Sequence, residues 1–130
     1  MRVKVRLNAV LISGIFQILV GTGMLGIWLT LFLKGEIPEL QTEILGIAAH
    51  LLAEAVTALM LLFSGFHILL KGKMLKPLFH ISFGALIYTL IASPGYYAQT
   101  GQWATASLFF ILLAISVVLL LSRGTRINGQ

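Results

Sequence analysis

The chain has 130 residues, of which 58% are hydrophobic and 10% are charged, and its formal net charge is +5 at pH 7. This composition lies far outside the range of soluble domains and indicates that lipid solvates most of the chain. The sequence contains no cysteine, which excludes disulfides, thiolate nucleophiles, iron–sulfur ligation and cysteine-based zinc sites.

Four apolar stretches follow one another, separated by short polar loops. Each is long enough, or nearly so, to cross ~30 Å of hydrocarbon as a helix rising ~1.5 Å per residue. Backbone polar groups in lipid must be satisfied within their own segment, which favours helices over strands. We therefore expect an all-α integral membrane protein, a single up-down antiparallel bundle of four transmembrane helices. The expected spans are residues 7–33, 44–70, 77–93 and 103–122, the third ending at Ser93 because Pro94 and Gly95 follow.

The basic residues are distributed unevenly over the ends of these spans. In a topology with four spans, eight of the nine basic residues lie on one side of the membrane, and only Lys34 lies on the other side. By the positive-inside rule we expect both termini and the second loop to be cytoplasmic. We expect the membrane to be the plasma membrane. Topology and anionic lipid headgroups thus account for the net charge, and nucleic-acid binding is not indicated. The eight residues are Arg2, Lys4, Arg6, Lys71, Lys73, Lys76, Arg123 and Arg126.

The N-terminal stretch resembles a signal peptide in having basic residues before an apolar run. The run is too long for the apolar core of a signal peptide, and no small-residue cleavage pattern follows it. We expect it to remain as the first span.

Glu54, in the second stretch, is the only acidic residue within the expected spans. An ionisable side chain inside a membrane is costly and marks a functional site by default. His50 precedes it by one helical turn, so both side chains lie on one face of the helix. Counted from Glu43 at ~1.5 Å per residue, Glu54 lies ~16 Å deep, near the midplane.

Other polar side chains are expected to extend this site. Counted from the inner boundary, Gln17 in the first span lies ~16 Å deep, Tyr88 in the third ~18 Å and His80 ~6 Å. Glycines at helical spacing, such as Gly14 and Gly21 beside Gln17, are typical of close contacts between membrane helices. We expect a polar ladder that binds or moves a small ligand, cation or proton, formed by His50, Glu54, Gln17, Tyr88 and His80.

The loop between the third and fourth spans is rich in aromatic residues. Tyr96, Tyr97 and Gln99 follow the Pro-Gly pair and are expected to lie over the outer mouth of the bundle. Trp28 and Trp103 are typical of the aromatic belt at a membrane surface.

Histidine raises the possibility of a metal or haem. His50 and Glu54 could contribute two ligands to a single metal ion, whereas a dinuclear carboxylate site needs more acids than the spans contain. His67 and His80 lie at similar depth near the inner face and could be axial ligands of a haem. The sequence leaves the identity of any cofactor open.

Two further roles stay open, and an oligomeric state is expected. Common nucleophile, phosphate-loop and dinucleotide motifs are absent, but His50 and Glu54 could serve as acid and base in a lipid-modifying enzyme. A structural or assembly subunit could use the same polar side chains as interhelical hydrogen bonds. A homo-oligomer is expected, since pathways through so few helices usually need a second copy.

Overall fold

The computed structural model describes residues 2–124, which form five α-helices and no strand. Within these residues, four helical stretches are long and apolar enough to cross a membrane: Asn8–Lys34, Ile44–Lys71, Lys76–Gln99 and Trp103–Ser122. The all-helical class and the four candidate spans are therefore confirmed. Of the basic residues used to orient the chain, Arg126 lies outside the described residues. The helices are α1 (Arg2–Lys34), α2 (Glu39–Thr42), α3 (Ile44–Lys71), α4 (Lys76–Gln99) and α5 (Trp103–Gly124).

The third span is longer than the sequence predicts. Helix α4 does not end at Ser93 but continues to Gln99 with Pro94 inside it. A proline inside a helix removes the hydrogen bond that its own N–H would have made, and its ring crowds the carbonyl four residues back. Membrane helices tolerate it when the freed carbonyl finds another partner. The connection to α5 is consequently reduced to residues 100–102.

Glycine ends α1 and α4 in the same way. Gly35 and Gly101 have φ angles of +67° and +77°, in the left-handed region that favours glycine. At each end, the glycine N–H bonds the carbonyl three residues back and the next N–H bonds the carbonyl five residues back. This pair of hydrogen bonds is the Schellman motif, which satisfies the last carbonyls of a helix and turns the chain sharply.

The described residues form two compact units, one ending at Phe79 and the other beginning at His80. In the first unit, α3 packs against both α1 and α2. In the second unit, the ring of Tyr97 on α4 stacks on that of Phe109 on α5, with centroids 5.2 Å apart. The single bundle of four spans stays a prediction.

Helices α1 and α3 approach each other closely through glycines. A Cβ atom at Gly65 would lie 2.8 Å from the carbonyl oxygen of Gly14, and one at Gly21 would lie 2.9 Å from that of Ala58. Both distances are too short for a real side chain, so these positions require glycine. As the residue number rises from 14 to 21 in α1, the contacted residue falls from 65 to 58 in α3. The two helices are therefore antiparallel, as expected for spans joined by a short connection.

Candidate functional site

Glu54 lies in the middle of α3, on the face that packs against α1. Only 7% of the residue is exposed. The buried residues of α3 recur at helical spacing from Glu54 onward, and together they form a continuous apolar and small-residue face: Glu54, Thr57, Ala58, Leu61, Ser64, Gly65 and Ile68. The helix thus places a carboxyl group at the N-terminal end of its packed face.

Two ring nitrogens hold the carboxyl group of Glu54. His50, one turn earlier on α3, has its Nε2 atom 3.2 Å from Oε1 of Glu54. Trp28 on α1 donates its indole N–H to Oε2. Because an indole nitrogen can only donate, this carboxyl oxygen acts as an acceptor. The rings of Trp28 and His50 also meet edge to face, with centroids 5.8 Å apart and planes at 76°. We call these three residues the Trp28–Glu54–His50 cluster.

The residues of the cluster differ in the exposed fraction of their side chains. The side chain of Glu54 is 8% exposed, whereas that of His50 is 43% exposed. The imidazole is therefore the accessible end of the cluster, and it can carry a proton or a hydrogen bond between the surroundings and the buried carboxyl group.

A cleft of about 300 Å³ adjoins the cluster. It is bounded by the C-terminal half of α1, by the connection that precedes α2 and by α3. Glu54 supplies the only side-chain oxygen atoms of this lining, and the indole of Trp28 its only side-chain nitrogen. The remaining surface is hydrocarbon and one thioether. The lining residues are Met24, Leu25, Trp28, Leu29, Phe32, Ile37, Leu51, Glu54 and Ala55.

Gln17 does not lie beside Glu54. Its Cβ atom lies 3.2 Å from where a Cβ of Gly65 would be, eleven residues and ~16 Å along α3 from Glu54. The side chain is fully buried, and neither its amide oxygen nor its amide nitrogen has a hydrogen-bond partner. The hydroxyl of Ser64, next to Gly65, is likewise buried and unpartnered. Gln17 and Ser64 are therefore a separate polar site on the contact between α1 and α3.

The expectation that Gln17 and Glu54 lie at similar depth failed because of helix length. The first span, Asn8–Lys34, has 27 residues and a length of ~40 Å, which exceeds the ~30 Å of hydrocarbon. Counting inward from Arg6 gives Gln17 a depth of ~16 Å, but counting from Lys34 gives ~25 Å. A depth estimate from one end of such a span is uncertain by about 10 Å.

Tyr88 and His80 belong to the second unit. Tyr88 is 73% exposed, and a Cβ at the neighbouring Gly84 would meet no atom within 4 Å. His80 is half-buried. The contribution of both residues to a ladder with Glu54 stays a prediction, as does a haem held by His67 and His80.

The residues predicted at the outer mouth lie on the last turns of α4 and not in a loop. Tyr97 is buried against Phe109, and Tyr96 meets the ring of Tyr97 edge to face with centroids 5.4 Å apart. Gln99, the last residue of the helix, is exposed. The two tyrosines thus form an aromatic contact that joins α4 to α5.

Metal binding was a further expectation for His50 and Glu54. Among the side chains that the structure describes, no three histidine or acidic residues lie close enough together to hold a metal ion. The two residues could supply two ligands, and the ring nitrogen of Trp28 is not a metal ligand because it carries a proton.

Sequence reasoning missed Trp28, which it assigned to the aromatic belt. A signal was present, because Trp28 lies six residues, or ~9 Å, inward from Lys34, and His50 lies seven residues, or ~10 Å, inward from Glu43. The two residues therefore share a depth when both are counted from the span ends that border the connection between α1 and α3.

Four helices that are long and apolar enough to span a membrane indicate a membrane protein. The chain belongs to the family described as "Domain of unknown function (DUF8058)", whose model matches residues 8–126. No curated protein and no solved structure matches the chain.

Proposed function

We propose that this protein binds a small ligand, cation or proton within the membrane, and that the carboxyl group of Glu54 is the recognition element. The observation that carries the proposal is the arrangement of Glu54 itself. Its nearly buried carboxyl group accepts a hydrogen bond from Trp28 and lies 3.2 Å from Nε2 of His50, and Glu54 is also one of the residues that line the cleft. Intramembrane carboxyl groups are expensive, and a fixed one that borders open space is typical of a binding or transport site.

The distribution of charge supports an orientation for this site. With the positive-inside rule, both termini and the connection between α3 and α4 are cytoplasmic, and the Trp28–Glu54–His50 cluster lies in the outer half of the plasma membrane. The outer connection between α1 and α3 then carries Glu36, Glu39 and Glu43, whose negative potential attracts cations toward the site.

A structural role is the second candidate function. The hydrogen bond from Trp28 to Glu54 joins α1 to α3, and membrane proteins use such bonds to fix helix pairs. A structural carboxyl group should contribute to stability in all conditions, whereas a binding carboxyl group should contribute a stabilisation that depends on its ligand.

The test compares Glu54→Gln with Glu36→Gln. Both changes remove one carboxylate, but Glu36 is exposed in the connection after α1. We expect protons or at least one of Na⁺, K⁺, Ca²⁺ and organic ammonium ions to raise the unfolding temperature of the wild type and of Glu36→Gln in lipid nanodiscs. Glu54→Gln should lose that response and still fold.

Two outcomes would contradict the proposal. If all three proteins respond alike to every addition, Glu54 does not bind. If Glu54→Gln instead fails to fold, or loses stability equally with and without added ions, the structural role is the correct one. Native mass spectrometry of the same samples would report the number of subunits, expected to exceed one, and any retained metal or haem.

A further inference from the structure

The lining of the cleft is almost entirely apolar but includes one acidic residue, Glu54, and this composition indicates what fills it. We propose that the cleft binds a lipophilic ammonium compound, that is, a compact apolar body with a positively charged N–H head that reaches Glu54. This inference rests on the proposed function, since it names the class of ligand that the same carboxyl group recognises.

The lining argues against a bare inorganic cation as the main ligand. Such cations take about six or more oxygen ligands, or keep a hydration shell. Glu54 is the only residue of the cleft lining with side-chain oxygen atoms. A backbone carbonyl of α1 or α3 along the cleft can bind an ion only where it does not already accept a helical hydrogen bond. An organic ammonium needs far less, because one carboxylate satisfies its charge and one or two of its N–H groups.

The size of the cleft fits an apolar body. A volume of about 300 Å³ lies at the lower end of the range of small-molecule sites. Leucine, isoleucine, phenylalanine and methionine side chains of the lining offer contacts to hydrocarbon over most of that volume. An inorganic ion would leave this surface unused.

Charge selects the head group. The lining contains a carboxyl group and no lysine or arginine, so an anionic head would be repelled and left without a partner. The indole of Trp28 lies beside the carboxyl group, and aromatic rings near a carboxylate favour organic ammonium ions through cation–π attraction.

Exposure of the lining indicates the route of entry. Leu29 and Phe32 border the cleft and are 60% and 62% exposed. Both lie in the span of α1, where the surroundings are hydrocarbon. An amphiphilic amine that has partitioned into the bilayer would reach the cleft sideways, between these two side chains.

The experiment uses three probes of one shape: 1-adamantylammonium, 1-adamantanol and 1-adamantanecarboxylate. Trp28 serves as the reporter in a Trp103→Phe background, because the chain has only two tryptophans and Trp103 is exposed. The protein is reconstituted in nanodiscs and its tryptophan emission is titrated with each probe. We expect saturable binding of the ammonium, weaker binding of the alcohol and no binding of the carboxylate.

Three variants assign the binding to the cleft. Glu54→Gln should weaken ammonium binding by about tenfold or more, as expected for a lost hydrogen bond to a charged group. Ala55→Leu should weaken it similarly by filling the cleft while leaving Glu54 in place. Ala53→Leu is the matched control, because Ala53 lies on the same helix but is exposed and outside the lining. It should bind as the parent does.

The outcomes separate this inference from the proposed function. If the alcohol and the carboxylate bind as tightly as the ammonium, the cleft holds apolar bodies without recognising charge, and the inference is wrong. If protons or inorganic cations act through Glu54 but the ammonium does not bind, the inference is wrong and the proposed function stands. If Glu54→Gln behaves like the parent toward all of them, both are wrong.

Discussion

Trp28 and Glu54 lie on different helices, and a single substitution removes the hydrogen bond between them. Trp28→Phe keeps an aromatic ring in place but deletes the N–H that Glu54 accepts. Hydrogen bonds to charged groups contribute ~1.5 kcal/mol or more, against ~0.6 kcal/mol for average bonds between membrane helices. We expect the free energy of unfolding in mixed micelles to fall by about 1.5 kcal/mol in Trp28→Phe.

Trp103→Phe is the control for this change, since Trp103 is 68% exposed, and it should alter the free energy by less than ~0.5 kcal/mol. A double-mutant cycle of Trp28→Phe with Glu54→Gln isolates the pair. A coupling energy near zero would mean that the indole only packs against Glu54.

The sequence predicts part of this site and misses part of it. His50 and Glu54 are found because helical spacing fixes which side chains on one helix are neighbours. Trp28 is missed because its contact is to another helix, and sequence spacing says nothing about the rotation of α1 around its axis. Gln17 is misplaced for a related reason, because a helix longer than the membrane leaves its register along a neighbour undetermined.

At the scale of helices, the contact between α1 and α3 provides a matched pair of substitutions. Gly21 and Gly23 lie two residues apart on α1 and on different faces. A Cβ at Gly21 would lie 2.9 Å from the carbonyl oxygen of Ala58, while one at Gly23 would meet nothing within 4 Å. We expect Gly21→Ala to lower the free energy of unfolding by about 1–3 kcal/mol through overpacking. Gly23→Ala should be neutral or stabilising by up to about 1 kcal/mol, because alanine favours helix.

Reversible unfolding in mixed micelles measures both variants. Equal effects of Gly21→Ala and Gly23→Ala would mean that the close approach of α1 to Ala58 does not contribute to stability.

The boundaries of α4 illustrate the limit of local signals. A Pro-Gly pair usually ends a helix in water, where the freed backbone groups are hydrated and the chain can turn. Pro94 is buried, and the helix continues past it to a second glycine, Gly101, that provides a complete set of terminal hydrogen bonds. The sequence offers two stop signals in this region, and composition alone does not rank them.

For the whole molecule, the sequence predicts the class and the number of spans, because lipid forces long apolar segments into helices whatever their neighbours are. The lengths of three spans also follow from composition. The arrangement of helices relative to one another depends on which faces pack, and for α1 and α3 it is determined by three glycines whose role is visible only once the contacts are known.

The basic residues predict an orientation of the chain in the membrane, and cysteine labelling can test it directly because the sequence contains no native cysteine. The positive-inside rule predicts that the connection after α1 is external and the connection after α3 is cytoplasmic. Glu36→Cys and Lys73→Cys place one thiol in each of these exposed connections. A membrane-impermeant maleimide added to intact cells should label Glu36→Cys at once and label Lys73→Cys only after the cells are permeabilised.

The reverse pattern would place the Trp28–Glu54–His50 cluster in the cytoplasmic half of the membrane, and labelling of both variants in intact cells would mean that the chain inserts in two orientations. The expected pattern requires the basic ends to outweigh Lys34, so adding lysines to the connection after α1 should shift labelling toward the reverse pattern.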